Sequence, residues 1–480
     1  MVTSISERAK IGIMVCGQKA YWPQFPGLKE MLIENAAVFE GYIRQSGVVD
    51  VAVSRFVDTT EAAYEAGVEC KKADIDLLFV YLTTYVASGI YMQGALRAEC
   101  PVVLVGLQRP VTLSQEYTLQ TMIGAGSPCQ MPEAYSAFVR CGKQPAGILY
   151  GELYNDKRIQ KDIIEWCHAA NAKRAFKGSI FGYMGHSYEG MLDMNFDPTA
   201  VTRQLGAHVR FLEMCELVKH IEDCTQSELD QKLKQIKETF DLKDKSFDPT
   251  TKDIDEADIQ WAVKVSVGLD KLVHNNGLSG FAYYYEGENN SIYERAASNL
   301  MIGNSLMTTN GISMAGEGDM KTCLAMYLTS ALGCGGSFAE LNSVDFDADI
   351  VLVGHDGPHD IRISDKKPMI RGLSLMHGKK GYGVSVEFSI QHGPMTMVGI
   401  GSDVDGKYHL IVAEGESLEG WVPPVGNTLT RGYFGPNAAG FVEDWSRACI
   451  CHHQSLAIGH CGDMVEKFAK LMDLDVIKVR

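Results

Sequence analysis

The stretch Ile11–Phe56, IGIMVCGQKAYWPQFPGLKEMLIENAAVFEGYIRQSGVVDVAVSRF, holds two apolar runs of strand length with a helical pattern between them. Ile11–Cys16 has no polar alternation and stops at Gly17, so it reads as a strand covered on both faces. From about Leu28 to Arg44 the apolar residues recur at helical spacing, and Val51–Phe56 is strand-like again. Asp58–Ala73 follows as a helix with Asp58 or Thr59 as its cap. Leu77–Leu82 and Val102–Leu107 are further buried-strand runs. Alternating βα units of this kind predict a parallel sheet with helices on both faces, whose ligand residues lie in loops after the strands.

Outward from there a second βα set begins near Lys173. Ser179–Tyr183 and Val209–Met214 read as strands, and a helix between them starts at Asp197-Pro198 with proline in its first position. Residues 217–245 are highly charged and read as exposed helix. Ala257–Val273 is an amphipathic helix stopped at Asn276-Gly277, Phe281–Tyr285 is an aromatic strand, and a helix spans about Ile292–Met307. The last third changes character. Ile350–Val353, Gly383–Ile390, Met395–Ile400 and Tyr408–Val412 are short strands among glycines, which predicts an antiparallel sheet or barrel, closed by a helix near Asp463–Met472 and a final strand. The expected fold is α/β: two Rossmann-like parallel-sheet domains, 1–170 and 171–330, then a β-rich, barrel-like domain, 331–480.

Composition narrows the function classes. The 480 residues are 46% hydrophobic and 22% charged, ordinary for globular chains. The net charge of −16 and the lack of a basic run argue against nucleic acid as a partner. No apolar stretch reaches the length of about 18 residues that a membrane helix needs. The amino terminus carries no secretory pattern, and the 13 cysteines have no framework spacing, which predicts reduced thiols in the cytoplasm. Dinucleotide, phosphate-loop, nucleophile-elbow and C-x-x-C motifs are absent from the sequence.

The residues able to carry chemistry cluster in Gly311–Gly357, GISMAGEGDMKTCLAMYLTSALGCGGSFAELNSVDFDADIVLVGHDG. Asp319 can cap a helix running to Leu332, which leaves Glu317 in the loop before it. Glu340 follows the Gly335-Gly336 turn, and His355 follows a strand and a glycine. Cys451-His452-His453 adds imidazoles later in the chain. Two carboxylates and imidazole suit Mn²⁺, Mg²⁺ or Co²⁺. Each residue also has a plain structural use: a loop glutamate at a helix start, a packed histidine, one exposed and one buried histidine of a pair. Spacing alone does not separate these readings.

At these residues the chain resembles the L-arabinose isomerase family. Ala315-Gly316-Glu317-Gly318-Asp319-Met320-Lys321-Thr322 matches the family's A-G-E-G-D-x-K-T, and Ser337-Phe338-Ala339-Glu340 its S-F-M-E. Gly354-His355 and His452-His453 match its G-x-H and H-H pair, and Gly17-Gln18 with Tyr21 is similar to its first-strand loop. The resemblance implies an aldose–ketose isomerase acting on a small sugar by enediol proton transfer between C1 and C2. It implies Glu317, Glu340, His355 and His453 as ligands of a divalent metal, Mn²⁺ foremost, with the two glutamates as acid/base pair. It makes Gln18 and Tyr21 candidate sugar contacts to a neighbouring subunit's site, and a homo-oligomer, a hexamer, is expected. Leu341-Asn342, Gly106-Leu107-Gln108-Arg109 and Gln454-Ser455 depart from the family pattern where a sugar's far end would sit. The rivals are an L-fucose-isomerase-like enzyme and a non-catalytic sugar-binding protein.

Overall fold

A computed structural model describes residues 7–126, 128–242, 251–373, 375–376, 379–380 and 383–479. The chain forms two compact units, Ser6–Ala175 with Asp463–Asp473, and Phe176–Gly462 with Leu474–Arg480.

The first unit is built on strands β1 (Ala9–Cys16), β2 (Val49–Val57), β3 (Leu77–Leu82), β4 (Val102–Gln108) and β5 (Gly147–Glu152). All pair in parallel in the order 2-1-3-4-5, a doubly wound sheet. Its inner strands are the apolar runs, and every residue of β3 is buried. Thr59, not Asp58, caps the helix Thr60–Ala73 by accepting the Ala62 N–H. That helix crosses Ser88–Arg97 closely: a Cβ on Gly94 would lie 1.9 Å from the Ala63 carbonyl oxygen. The strand β5 and the helix Lys157–Phe176 give no clear signal in the sequence, so the start placed at Lys173 falls inside that helix.

The second unit holds two larger sheets. β6 (Ile180–Gly185), β7 (His208–Leu212), β8 (Gly280–Tyr284) and β9 (Ser313–Ala315) pair in parallel in the order 9-8-6-7. Met214 starts a helix rather than ending β7. The charged segment after it is two helices, Met214–Glu222 and Gln226–Thr239, broken at the Thr225 cap; its end at 243–245 lies outside the described residues. Leu217 and Ile221 are buried, so this is no purely solvated face. Residues 292–307 likewise form two helices, Ile292–Ala297 and Met301–Thr309.

The other large sheet of this unit is built from β10 (Ser337–Asp345), β11 (Ile350–His355), β12 (Gly393–Ser402), β13 (Tyr408–Leu418), β14 (Thr428–Tyr433), β15 (His453–Ile458) and β16 (Asp475–Val479). Antiparallel pairing runs 12-15-10-11-14-13 and returns from β13 to β12, so six strands close a circuit; β16 adds in parallel to β13. Val353, Met395, Met397, Ile411 and Leu456 form part of its dry interior. Val384–Glu387 pairs instead with Met369–Leu373 in a separate small sheet. No described helix is long and apolar enough to cross a membrane.

Candidate functional site

Four elements of the second unit meet at one place. Glu340 pairs across from His453 on β15 and from Gly354 on β11. Antiparallel partners put side chains on a common face, so the 10–15 pairing brings Glu340 and His453 together. Gly354 lets β11 turn into the site: at φ +149° a Cβ would lie 1.9 Å from the Thr428 carbonyl oxygen. His355 then stands buried beside Phe338, ring centroids 4.9 Å apart.

Glu317 enters from the loop between β9 and the helix Met320–Ala331. It holds a left-handed φ of +56°, followed by Gly318 at +71°. A side chain at Gly318 would collide with the His186 carbonyl oxygen at 2.4 Å. The Glu317 carbonyl accepts the Tyr188 N–H at 2.9 Å, and the Gly318 N–H donates to the Tyr283 carbonyl at 2.9 Å. A non-glycine residue in this conformation costs of order 1 kcal/mol or more and persists where its surroundings impose it.

The donor atoms converge. A carboxylate oxygen of Glu317 and ring nitrogens of His355 and His453 lie within 4.8 Å of one another. Glu317 Oε2 is 3.9 Å from His453 Nε2, and Glu340 Oε1 is 3.9 Å from His355 Nε2. Glu317 Oε2 and His453 Nε2 are both buried without a hydrogen-bond partner. Such atoms are costly in a folded protein unless a ligand completes them. Glu317 with the two imidazoles therefore forms a group that fits a divalent cation, with Glu340 beside it at His355; hard oxygen and borderline nitrogen donors together suit such an ion.

Neighbouring carboxylates orient the imidazoles. Fully buried Asp319 accepts from His453 Nδ1 at 3.1 Å and from the Cys451 thiol at 2.8 Å. Burial pushes the Asp319 carboxyl up, but the His453 hydrogen bond and charge, then Cys451 and Thr322, hold it down at about 2. Burial lowers His453 more than Asp319 raises it. The pair is thus an ionised aspartate accepting from a neutral imidazole, which leaves the Nε2 lone pair facing Glu317. At His355, burial works downward, but the Asp356 hydrogen bond and the Asp356, Glu340 and Glu317 charges together raise it; Asp356 Oδ1 is 2.8 Å from Nδ1.

Of the adjacent histidines, His452 turns away to Asp193, whose carboxylate takes its ring Nδ1 at 2.7 Å and its backbone N–H at 2.9 Å. Cys451, His452 and His453 also lie close enough to form a ligand group, but the Cys451 thiol is engaged by Asp319. Gln18 and Tyr21 belong to the first unit, just beyond β1. Gln18 Oε1 is buried without a partner, and Tyr21 packs edge-on against Phe25. Asp193 and Asp356 escape notice in the sequence, although Asp356 directly follows His355, and Asp319 reads there only as a helix cap.

Comparison with known proteins accords with this geometry. Residues 195–335 match the family model described as L-arabinose isomerase central domain, and 335–475 the one described as L-arabinose isomerase C-terminal domain. The chain is 21% identical to the L-arabinose isomerase of Oceanobacillus iheyensis over 68% of each chain. It is 21% identical to that of Herpetosiphon aurantiacus, over 68% of this chain and 65% of the relative. Against the L-arabinose isomerase of Flavobacterium johnsoniae it is 22% identical over 68% of this chain and 65% of the relative.

Proposed function

Because the chain belongs to the L-arabinose isomerase family of aldose–ketose isomerases, we propose that it moves a carbonyl between C1 and C2 of a small sugar by proton transfer through an enediol. The observation that carries this reading is the convergence of Glu317, His355 and His453 within 4.8 Å, with Glu340 3.9 Å from His355. Glu317, Glu340, His355 and His453 would hold a divalent cation, Mn²⁺ foremost with Mg²⁺ or Co²⁺ as alternatives. When bound, the cation supplies positive charge beside the sugar's neighbouring oxygens.

The chain's own residues do the rest. One glutamate takes the proton from the carbon next to the carbonyl, and the C–H electron pair forms the enediol double bond. The displaced carbonyl π pair moves to its oxygen, which takes a proton from the other glutamate; the first carboxyl then returns its proton to the adjacent carbon as the other glutamate takes the neighbouring hydroxyl's proton and the new carbonyl forms. Asp319 keeps His453 in one tautomer. Phe338 packs against both histidines and excludes water from that side, its ring 4.3 Å from the His453 ring.

The test is a panel of tetroses, pentoses and hexoses with Mn²⁺, followed by turnover of a responsive sugar in deuterated water. Deuterium at the transferred position supports the reading; complete retention of the original hydrogen overturns the base role of the glutamates. E317Q and E340Q should each lose at least about 10²-fold in kcat/KM, the scale of general acid–base catalysis.

The same family resemblance supports a symmetric cytoplasmic homo-oligomer, a hexamer, in which Gln18 and Tyr21 contact sugar in a neighbouring subunit's site. The division into 1–170, 171–330 and 331–480 goes with it, one larger sheet to each part. Light scattering of active protein checks the assembly, and a monomer that turns over sugar contradicts it.

A further inference from the structure

A cavity of about 430 Å³ opens in the second unit, and none of its lining residues is Glu317, Glu340, His355 or His453. Its volume suits a small-molecule ligand. On its rim stands Trp421, 73% exposed, a large apolar ring left in water. The loop carrying it is anchored at two points. Arg431 Nη1 donates to the Trp421 carbonyl at 3.4 Å, and the buried Arg371 guanidinium donates to the Gly426 carbonyl. The ring is thus presented on a fixed support.

The wall carries three carboxylates, Asp365, Glu387 and Glu419, against one lysine, Lys366, with His392 beside them. Glu387 lies 3.2 Å from Arg371 Nε, which is 1% exposed, so this carboxylate is pinned with its charge offset from behind. Asp365 lies 4.0 Å from Lys366. Glu419 adds a further negative charge, and Asn427 adds an amide. An anionic ligand meets three carboxylates in the lining against one lysine, Lys366, which itself sits beside Asp365. A cationic ligand finds two of the three carboxylates already paired. A neutral polyol meets neither obstacle: its hydroxyls can donate to the carboxylates, and the weakly positive C–H face of a sugar ring suits the negative face of an indole.

We propose that this cavity is a second carbohydrate site, taking a neutral monosaccharide against Trp421 with its hydroxyls on Glu387, Asp365 and Asn427. Its lining holds none of the four candidate metal ligands, so a sugar there leaves the proposed reacting position free.

The test uses full-length protein labelled with 5-fluorotryptophan. The fluorine resonance missing from W421F belongs to Trp421. Titration with a panel of neutral aldopyranoses that includes D-glucose should shift it saturably at millimolar concentrations. D-glucose 6-phosphate should need at least tenfold more, and D-glucosamine should bind no tighter than D-glucose. W421A should leave isomerisation kcat/KM within twofold. A Trp421 resonance that no neutral sugar moves overturns the proposal. So does a preference for the phosphate or the amine. If W421A changes the oligomeric mass, the ring belongs to a contact between copies, and the proposal also fails.

Discussion

Asp319 makes two kinds of bond with one carboxylate. Oδ1 accepts the Thr322 N–H at 3.0 Å and caps a helix, while Oδ2 takes His453 and the Cys451 thiol. D319N keeps a good capping group but removes the charge that fixes the His453 tautomer. We expect divalent-metal affinity to fall about 10–100-fold, with the helix intact by circular dichroism. Competition against a chelating dye measures this, and an unchanged affinity would show that Asp319 only caps. Asp319 also marks how far the candidate site was legible in the sequence. Glu317, Glu340, His355 and His453 are recognisable by type and order. The capping half of Asp319 is readable because its partner is three residues away. The half directed at His453 spans 134 positions, and no local pattern encodes such a contact. That His453 faces Glu317 while His452 is held by Asp193 is equally non-local.

Elements were legible where one strand or helix carries its own reason for being. The strands β1, β3 and β4 are apolar on both faces, so burial alone identifies them. The strands β14 (TLTRGY) and β15 (HQSLAI) show no such run; partners on both sides make them strands. The charged helices of 214–239 are another instance, because their stability lies partly between elements. Glu228 lies 2.9 Å from Lys271 on the helix Glu256–Asn276 and also caps Thr225. The Lys271 hydrogen bond, then the Thr225 N–H, hold its carboxyl down at about 2. A carboxyl lowered on folding stabilises above its unfolded value and loses that contribution as the pH falls through its folded one. E228Q should therefore cost about 1 kcal/mol or less at neutral pH, as the pair is partly exposed. The gap to wild type should close as the pH falls from about 4.5 toward about 2. Urea titrations at several pH values check the sign; a gap that widens on acidification contradicts it.

At the scale of the whole molecule the chain crosses between its two units near residues 175, 462 and 473. The last crossing pair gives one terminal segment two separate duties. The helix Gly462–Met472 buries Val465, Phe468 and Ala469 within the first unit, and its Lys467 lies 2.6 Å from Glu165 and 3.2 Å from Asp162 there. The strand β16 then returns to the second unit and pairs with β13 from His409↔Asp475 to Ala413↔Val479. The six-strand circuit is already closed without β16, whereas the first unit loses part of its core without the helix. Phe468→Ala removes a fully buried ring, a change that typically costs about 3–5 kcal/mol. That loss should fall on the first unit. Hydrogen exchange should show faster opening of β1, β3 and β4, with protection of β10, β11 and β15 changed far less. Removal of 475–480 should give the reverse weighting, loosening β13 while the first unit keeps its protection. If F468A instead loosens both units equally, they unfold as one cooperative body, and the terminal segment has no separable roles.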